Sequence, residues 1–410
     1  MGNSYRIFSY VGVAAIVLLL IGLAGWYFFL RNQASNLDAL GDSRGFDIAV
    51  PSFTGSRSST AENIEAGTSA ESLLAATPNQ GRPPRLWKVS SSPIAGFGFV
   101  VDSSNIRYIE RSTGYVYDVN PETGATTRLT KELIPKVYEG LIVGTSTVVM
   151  RTLESGEPTT LIGRFGTSTN DGFVVFSTSN LGNTIRTITS SANELMMLAS
   201  GANGANLVRA RGDGTGAQQI LTLGISGFGI QWLPDGRLFL TESPASGVAG
   251  TAYEVVQGAL TPVLRSLPGL LIKPRTSSPA LLYSIDDGTR VRLFARPSAQ
   301  ASTTELSIQT VAEKCVWAPS SSSTPTLAAY CASPQTALPR NFLDNWLRGA
   351  IHTSDAWFTI DASAAKSSKF FAPETTVALD VEKPLIDSRG GFIAFMNARD
   401  KSLWVLRIAE

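Results

Sequence analysis

A single histidine, His352, bounds the chemistry open to this chain. A Ser-His-Asp hydrolase would have to use it, with Asp355 as the acid on the same segment. Serines abound, yet no Gly-x-Ser-x-Gly elbow occurs, so His352 reads as a polar surface or strand-end residue. One histidine also rules out a multi-histidine metal centre. The adjacent carboxylates Asp286 and Asp287 are candidate calcium ligands, but "DDGTR" ends before the alternating oxygen ligands of a calcium loop are complete. Turn formation explains that pair. Arg211, Gly212 and Asp213 in "RGDGTG" match an adhesion tripeptide, as chance allows in a turn-rich chain. No catalytic, cofactor-binding or metal-ligating residue is expected from these patterns.

The two cysteines, Cys315 and Cys331, flank a Ser/Thr/Pro-rich stretch, Ala318 to Thr326, of hairpin type. Two strands joined there would bring the thiols within disulfide reach, and such a pair persists in an oxidising compartment. Two buried free thiols are the alternative.

The elements that would position these residues fall into three zones. Residues 1–30 carry an apolar run from Ile7 to Leu30 between Arg6 and Arg31. At about 1.5 Å per residue it spans a hydrocarbon core of about 30 Å, with Trp26, Tyr27, Phe28 and Phe29 at the interface. A cleaved secretory signal has a shorter apolar segment of about 7 to 15 residues, so a transmembrane signal-anchor is expected. Basic residues near its two ends nearly balance and set no orientation. The cysteine pair places the bulk of the chain outside the cytoplasmic membrane. Residues 31–84 are rich in Ser, Thr, Gly, Ala and Asn, with apolar residues too scattered for a core. They read as a flexible stalk, with a short helix conceivable around Ala70 to Ala76.

Residues 85–410 have an all-β texture. Short runs of Val, Ile, Leu, Phe and Tyr alternate with Gly, Asn, Asp, Pro and Ser clusters. In "IRYIERSTGYVYDVNPETGATTRLT", Ile106 to Glu110, Tyr115 to Val119 and Ala125 to Leu129 read as successive strands. The best helix candidate, Arg340 to Leu347, is short. Similar units begin near Gly96, Gly140, Thr187, Gly227, Gly269, Glu313 and Thr375, at a spacing of about 40 to 45 residues with one stretched unit, which matches the length of a four-stranded propeller blade. A single β-propeller is expected, with seven blades favoured over six or eight. "RLWKVS" near Arg85 supplies the outer strand of the last blade, closing the ring and removing free edges. Trp232, Trp317, Trp346, Trp357 and Trp404 recur through the later blades, most of them as inter-blade core, with one or two at loop ends as the alternative lining of a binding face.

In its order of membrane helix, stalk, "RLWKVSSSPIAGFGFVV", "EKCVWAP…AYCASP", "LPRNFLDNWLRGAIHTSDAWFTID" and "KSLWVLRI", the chain resembles membrane-anchored propeller proteins of candidate-phylum bacteria. These are distant relatives of WD-type and TolB-like propellers. The resemblance implies fold and topology and no catalytic role. It makes Asp344, Trp346, Ser354, Asp355, Trp357 and Asp361 a blade-packing pattern.

A net charge of +1 with 16% charged residues offers no field for a polyanion, so nucleic acid is not expected as a partner. The expected function is a noncatalytic, membrane-anchored extracytoplasmic propeller that binds a protein or cell-envelope polymer, without a cofactor. The alternative is an extracytoplasmic propeller hydrolase or lyase acting at the channel mouth, for which one histidine leaves few constellations.

Overall fold

The computed structural model describes residues 82–409 apart from 102, 155, 183 and 320–326. The apolar run Ile7–Leu30, the stalk up to residue 81 and the helix expected at 70–76 lie outside the described residues. Among the described residues no helix is long and apolar enough to cross a membrane.

Seven four-stranded antiparallel sheets follow one another along the chain as the blades of a propeller. Their innermost strands are β2 (Ile94–Phe99), β6 (Val137–Val143), β10 (Ile185–Ser191), β14 (Phe228–Trp232), β18 (Leu271–Pro274), β22 (Cys315–Trp317) and β26 (Val381–Ile386). Blades 1 to 7 are numbered in that order. In blades 1 to 6 each strand pairs with the next, as expected of chains that alternate a strand with a tight polar turn. The turn after β14 shows the local chemistry. Pro234 presets φ, Gly236 takes φ +88°, and its amide donates to the Leu233 carbonyl at 3.0 Å.

Blade 7 joins the two ends of the propeller. Its second and third strands, β27 (Phe392–Asn397) and β28 (Leu403–Arg407), precede the end of the chain, and β1 (Leu86–Lys88) supplies the fourth. Leu86 faces Leu406, Trp87 faces Val405 and Lys88 faces Trp404. The expected closing strand is thus in place, and the seam hides the edges that an open sheet would present.

Each of the seven junctions between blades holds its own hydrophobic cluster. Trp357, Phe395 and Trp404 fill the junction of blades 6 and 7. Trp87, Phe97 and Leu403 fill that of blades 7 and 1, and Leu282, Leu293, Cys315 and Trp317 that of blades 5 and 6. Trp346, Trp357 and Trp404 are at most 2% exposed and Trp317 is buried, whereas Trp232 is only half-buried, under the Arg209 guanidinium at 5.7 Å. Between β2 and β6 the backbones nearly touch. A Cβ on Gly96 would lie 1.9 Å from the Gly140 carbonyl oxygen, so only glycine fits there.

Antiparallel order places two kinds of connection on one face of the ring: those from a blade's fourth strand to the next blade, and those between its second and third strands. This is the upper face of the ring. In blade 6 the second and third strands, β23 (Ala328–Pro334) and β24 (Asp355–Asp361), are joined by a long upper connection. That connection carries the short helix α1 (Phe342–Leu347), within the segment expected to be the best helix candidate.

Candidate functional site

The polar side chains that converge on the upper face belong to three separate segments. Lys314 ends a 3-10 turn, Ala312–Lys314, that leads into β22. Thr353 and Asp355 end the long connection of blade 6, and Asp380 immediately precedes β26 of blade 7. The blade pattern demands apolar residues at these junctions, and the surrounding ones comply: Cys315, Leu379 and Val381 are fully buried. The charges are therefore enclosed with them. Lys314, Asp355 and Asp380 have no exposed side-chain surface.

The Lys314 ammonium satisfies all three of its donors. It donates to Thr353 Oγ1 and Asp355 Oδ2, each at 2.6 Å, and to Asp380 Oδ1 at 2.7 Å. Its charge also lies 5.1 Å from the centre of the Trp346 ring. Asp380 Oδ1 accepts further bonds from Trp346 Nε1 at 2.9 Å and Thr353 Oγ1 at 2.9 Å. Asp355 Oδ2 also accepts the Val381 amide at 2.9 Å. Burial pushes the Asp380 carboxyl up, but the Lys314 charge, with hydrogen bonds from Lys314, Trp346 and His352, outweighs it and holds the group at about 2. At Asp355 burial wins. Its carboxyl is raised, Lys314 opposing and the Asp380 charge reinforcing the shift.

His352 stands at the rim of this cluster. Its Nδ1 lies 3.0 Å from Asp380 Oδ2, and its side chain is 30% exposed. The sequence made Asp355 its nearest acid, but the structure gives His352 a different partner, Asp380, and commits Asp355 to Lys314. Among the described residues no hydroxyl hydrogen-bonds the histidine, so the nucleophile of a hydrolytic triad is not assembled. Nor do three His, Cys, Asp or Glu side chains converge as a metal site among the described residues.

The long connection of blade 6 reaches across its neighbours. Asp286, at the end of the second strand of blade 5, is buried and accepts the Leu343 amide at 2.9 Å, the Gly288 amide at 2.8 Å and the Ser246 hydroxyl at 2.7 Å. Asp344 Oδ1 accepts the Ser246 amide of blade 4 at 2.8 Å, and the Asn341 amide donates to the Gly288 carbonyl at 3.0 Å. The start of α1 is thereby fastened over blades 4 and 5, and Trp346 fastens it to blade 7. The arrangement fixes one upper-face loop across a large part of the ring.

The other singled-out residues do simpler things. Asp287 accepts the amides of Thr289 and Arg290, each at 2.9 Å, as a turn aspartate does. Asp213 accepts the Thr215 amide at 2.9 Å and pairs with Arg164, which occupies the acid of the Arg-Gly-Asp tripeptide. Cys315 and Cys331 face each other across β22 and β23, both fully buried, and their sulfurs are bonded. The hairpin reading of their spacing holds. Lys314 and Asp380 were not singled out. Their signal was a charge set inside an apolar run, in "VAEKCVW" and "VALDVE".

No family model and no curated protein matches the chain. Solved structures do. YCF48 from Cyanidioschyzon merolae aligns with a TM-score of 0.52 at 11% identity, over 79% of this chain and 99% of that one. Oligogalacturonate lyase from Vibrio parahaemolyticus aligns with a TM-score of 0.51 at 9% identity, over 79% of this chain and 94% of that one. YCF48 bound to a D1 peptide aligns with a TM-score of 0.50 at 14% identity, covering 79% and 96%. Such identities establish the fold: the chain is a seven-bladed β-propeller. They place binding proteins and enzymes alike on this scaffold.

Proposed function

We propose that this propeller is a noncatalytic binding module, held at the cytoplasmic membrane by Ile7–Leu30 and displayed outside it, that docks a partner on its upper face. One observation carries the reading. Leu133, Ile225 and Val248 are 63%, 53% and 58% exposed, and all three stand on upper-face connections. Apolar side chains raised on these loops offer a partner surface whose burial removes apolar area from water. The neighbouring charges are spent on one another in the Lys314 cluster, which holds the long blade 6 loop in place for a partner to meet. A protein with apolar side chains fits this surface better than a polysaccharide. YCF48, of similar fold, binds a D1 peptide. The buried Cys315–Cys331 bond supports an oxidising location.

The test is the triple variant Leu133→Ser, Ile225→Ser, Val248→Ser. In gently solubilised native membranes the parent chain should migrate in a complex larger than itself, and the variant as the free chain with unchanged melting. A variant that stays in the same complex as the parent would overturn the docking face. A second reading, an enzyme, rests on the Asp380–His352 pair, whose partly exposed ring is the one acid-base group of the cluster that solvent reaches. Loss of a turnover in His352→Ala would favour it.

A further inference from the structure

The turns that join the first strand of a blade to its second, and the third to its fourth, fall on the face opposite the upper one. Between blades 2 and 3 three such segments enclose a cleft of about 410 Å³, a volume in the range of small-molecule sites. Blade 2 contributes Ser146, in the turn before β7 (Thr147–Glu154), and Arg164 and Phe165 on β8 (Glu157–Ser168). Blade 3 contributes Asn193, in the turn after β10, and Arg211 and Asp213, at the turn that follows β12 (Gly204–Arg211).

The walls are fixed by the chain itself. The Phe165 amide donates to the Ser146 carbonyl at 2.8 Å, and the Gly212 amide to the Asn193 carbonyl at 2.7 Å. A Cβ on Gly212 would lie 2.7 Å from Asn193 Oδ1 and 2.8 Å from its carbonyl oxygen, so glycine is what lets the two turns of blade 3 meet. Hydroxyl and amide bonds from Thr215, at 2.7 and 2.9 Å, hold the Asp213 carboxyl below the usual carboxylate range and keep it charged at neutral pH. Several polar groups of the cleft are nevertheless unused. Arg164 pairs with Asp213 through Nη2 alone, and the Arg211 guanidinium, the Asn193 side-chain amide and the Ser146 hydroxyl make no hydrogen bond with any described residue. Two guanidiniums against one carboxylate leave the cleft a surplus of one positive charge. Arg107, over the Phe165 ring at 4.7 Å, adds none, because Asp118 pairs with it at 2.7 and 2.8 Å.

We propose that this cleft between blades 2 and 3 binds a sugar acid, a single carboxylate carried on a hydroxylated ring. The charge surplus matches one carboxylate, not a phosphate dianion, and the planar fork of Arg211 is shaped to receive its two oxygens. The Asn193 amide both donates and accepts, as does the Ser146 hydroxyl, so the two can pair with ring hydroxyls of either polarity. Phe165 gives the C–H face of the ring an apolar wall. The site is independent of the upper-face docking surface and lies on the other side of the ring from it.

The probe is glucuronate, titrated at pH 7 into the detergent-solubilised full chain in a calorimeter. Saturable binding with a Kd of about 1 mM or tighter is expected. Glucose lacks the carboxylate, acetate lacks the hydroxyls and inorganic phosphate carries the wrong charge, so each should bind at least about tenfold more weakly, as the loss of a charge-assisted or a pair of neutral hydrogen bonds implies. Arg211→Gln and the isosteric Asn193→Asp each cancel the surplus charge. Each should weaken glucuronate by about tenfold and leave the melting of the free chain unchanged, since neither side chain bonds to a described residue. The triple variant of Leu133, Ile225 and Val248 should bind glucuronate as the parent does, which separates this site from the docking face. No saturable binding up to about ten times that Kd, acetate or phosphate binding as tightly as glucuronate, or undiminished affinity in Arg211→Gln and Asn193→Asp would overturn the proposal.

Discussion

Replacing Lys314 by Met removes one charge from a sealed cluster and keeps most of the side-chain volume, so the change isolates the electrostatics. The two carboxylates then face each other with Thr353, Trp346 and His352 as remaining neighbours, and no cation stands between Asp355 and Asp380. The cheapest relief is a proton. Protonating a carboxyl of ordinary acidity costs 1.36 kcal/mol per pH unit above its pKa, or about 4 kcal/mol at pH 7 and about 1.5 kcal/mol at pH 5. That figure agrees with the roughly 3 to 5 kcal/mol lost when one partner of a buried ion pair is removed. Lys314→Met should therefore destabilise the propeller by about 4 kcal/mol at pH 7, and the deficit should shrink as pH falls, by about one proton's worth per unit. Guanidinium unfolding of parent and variant at pH 7, 6 and 5 measures both the size and the slope. A deficit below about 1 kcal/mol at pH 7, or one that stays constant between pH 7 and 5, would refute the argument that Lys314 neutralises buried carboxylates.

Asp380 titrates at about 2 in the fold, below an unfolded value near 4, so its contribution is present above pH 4 and is lost as pH falls from about 4 to about 2. Asp380→Asn should lower stability at pH 7 and flatten the acid limb in that window when unfolding is followed against pH. Replacing Cys315 and Cys331 together by Ala opens a loop of about 15 residues and should cost roughly 3 kcal/mol in the chain-entropy model, and nonreducing peptide mapping of the parent from its native compartment should find the two thiols joined. Trp404→Ala empties a site 2% exposed in the closing strand and should cost about 3 to 5 kcal/mol by thermal or chemical unfolding. If the propeller is displayed outside the membrane as proposed, protease added to intact spheroplasts should cut after about residue 31.

Blade count and closure were legible because each blade repeats its own local instructions. "ISGFGIQWLPDGRLFLTES" contains the inner strand, the turn and the second strand of blade 4 without reference to any other segment. "RLWKVS" was readable as a closing strand because a strand-length segment carrying Leu86, Trp87 and Val89 stood alone between the stalk composition and the first complete blade. The disulfide was legible for the same local reason, since Cys315 and Cys331 sit in one hairpin. The Lys314 cluster was not, because Lys314 and Asp380 are 66 residues apart and meet through the rotation from blade 6 to blade 7. Asp355 stood closer to His352 in sequence than Asp380 does, yet the start of β24 directs its carboxylate to Lys314. Where α1 lies depends on Asp286 and Ser246, in blades 5 and 4, and nothing in its own six residues specifies them.

If the upper face of the ring is the docking face, site-specific photocrosslinking in living cells will capture the partner there and not on the lower face. A photoreactive residue would be placed in turn at Leu133, Ile225 and Val248, and at the exposed lower-face positions Val101 and Val256. The same discrete adduct is expected from all three upper positions and none from the lower two. An adduct confined to Val101 and Val256, or equal crosslinking from both faces, would contradict docking on the upper face.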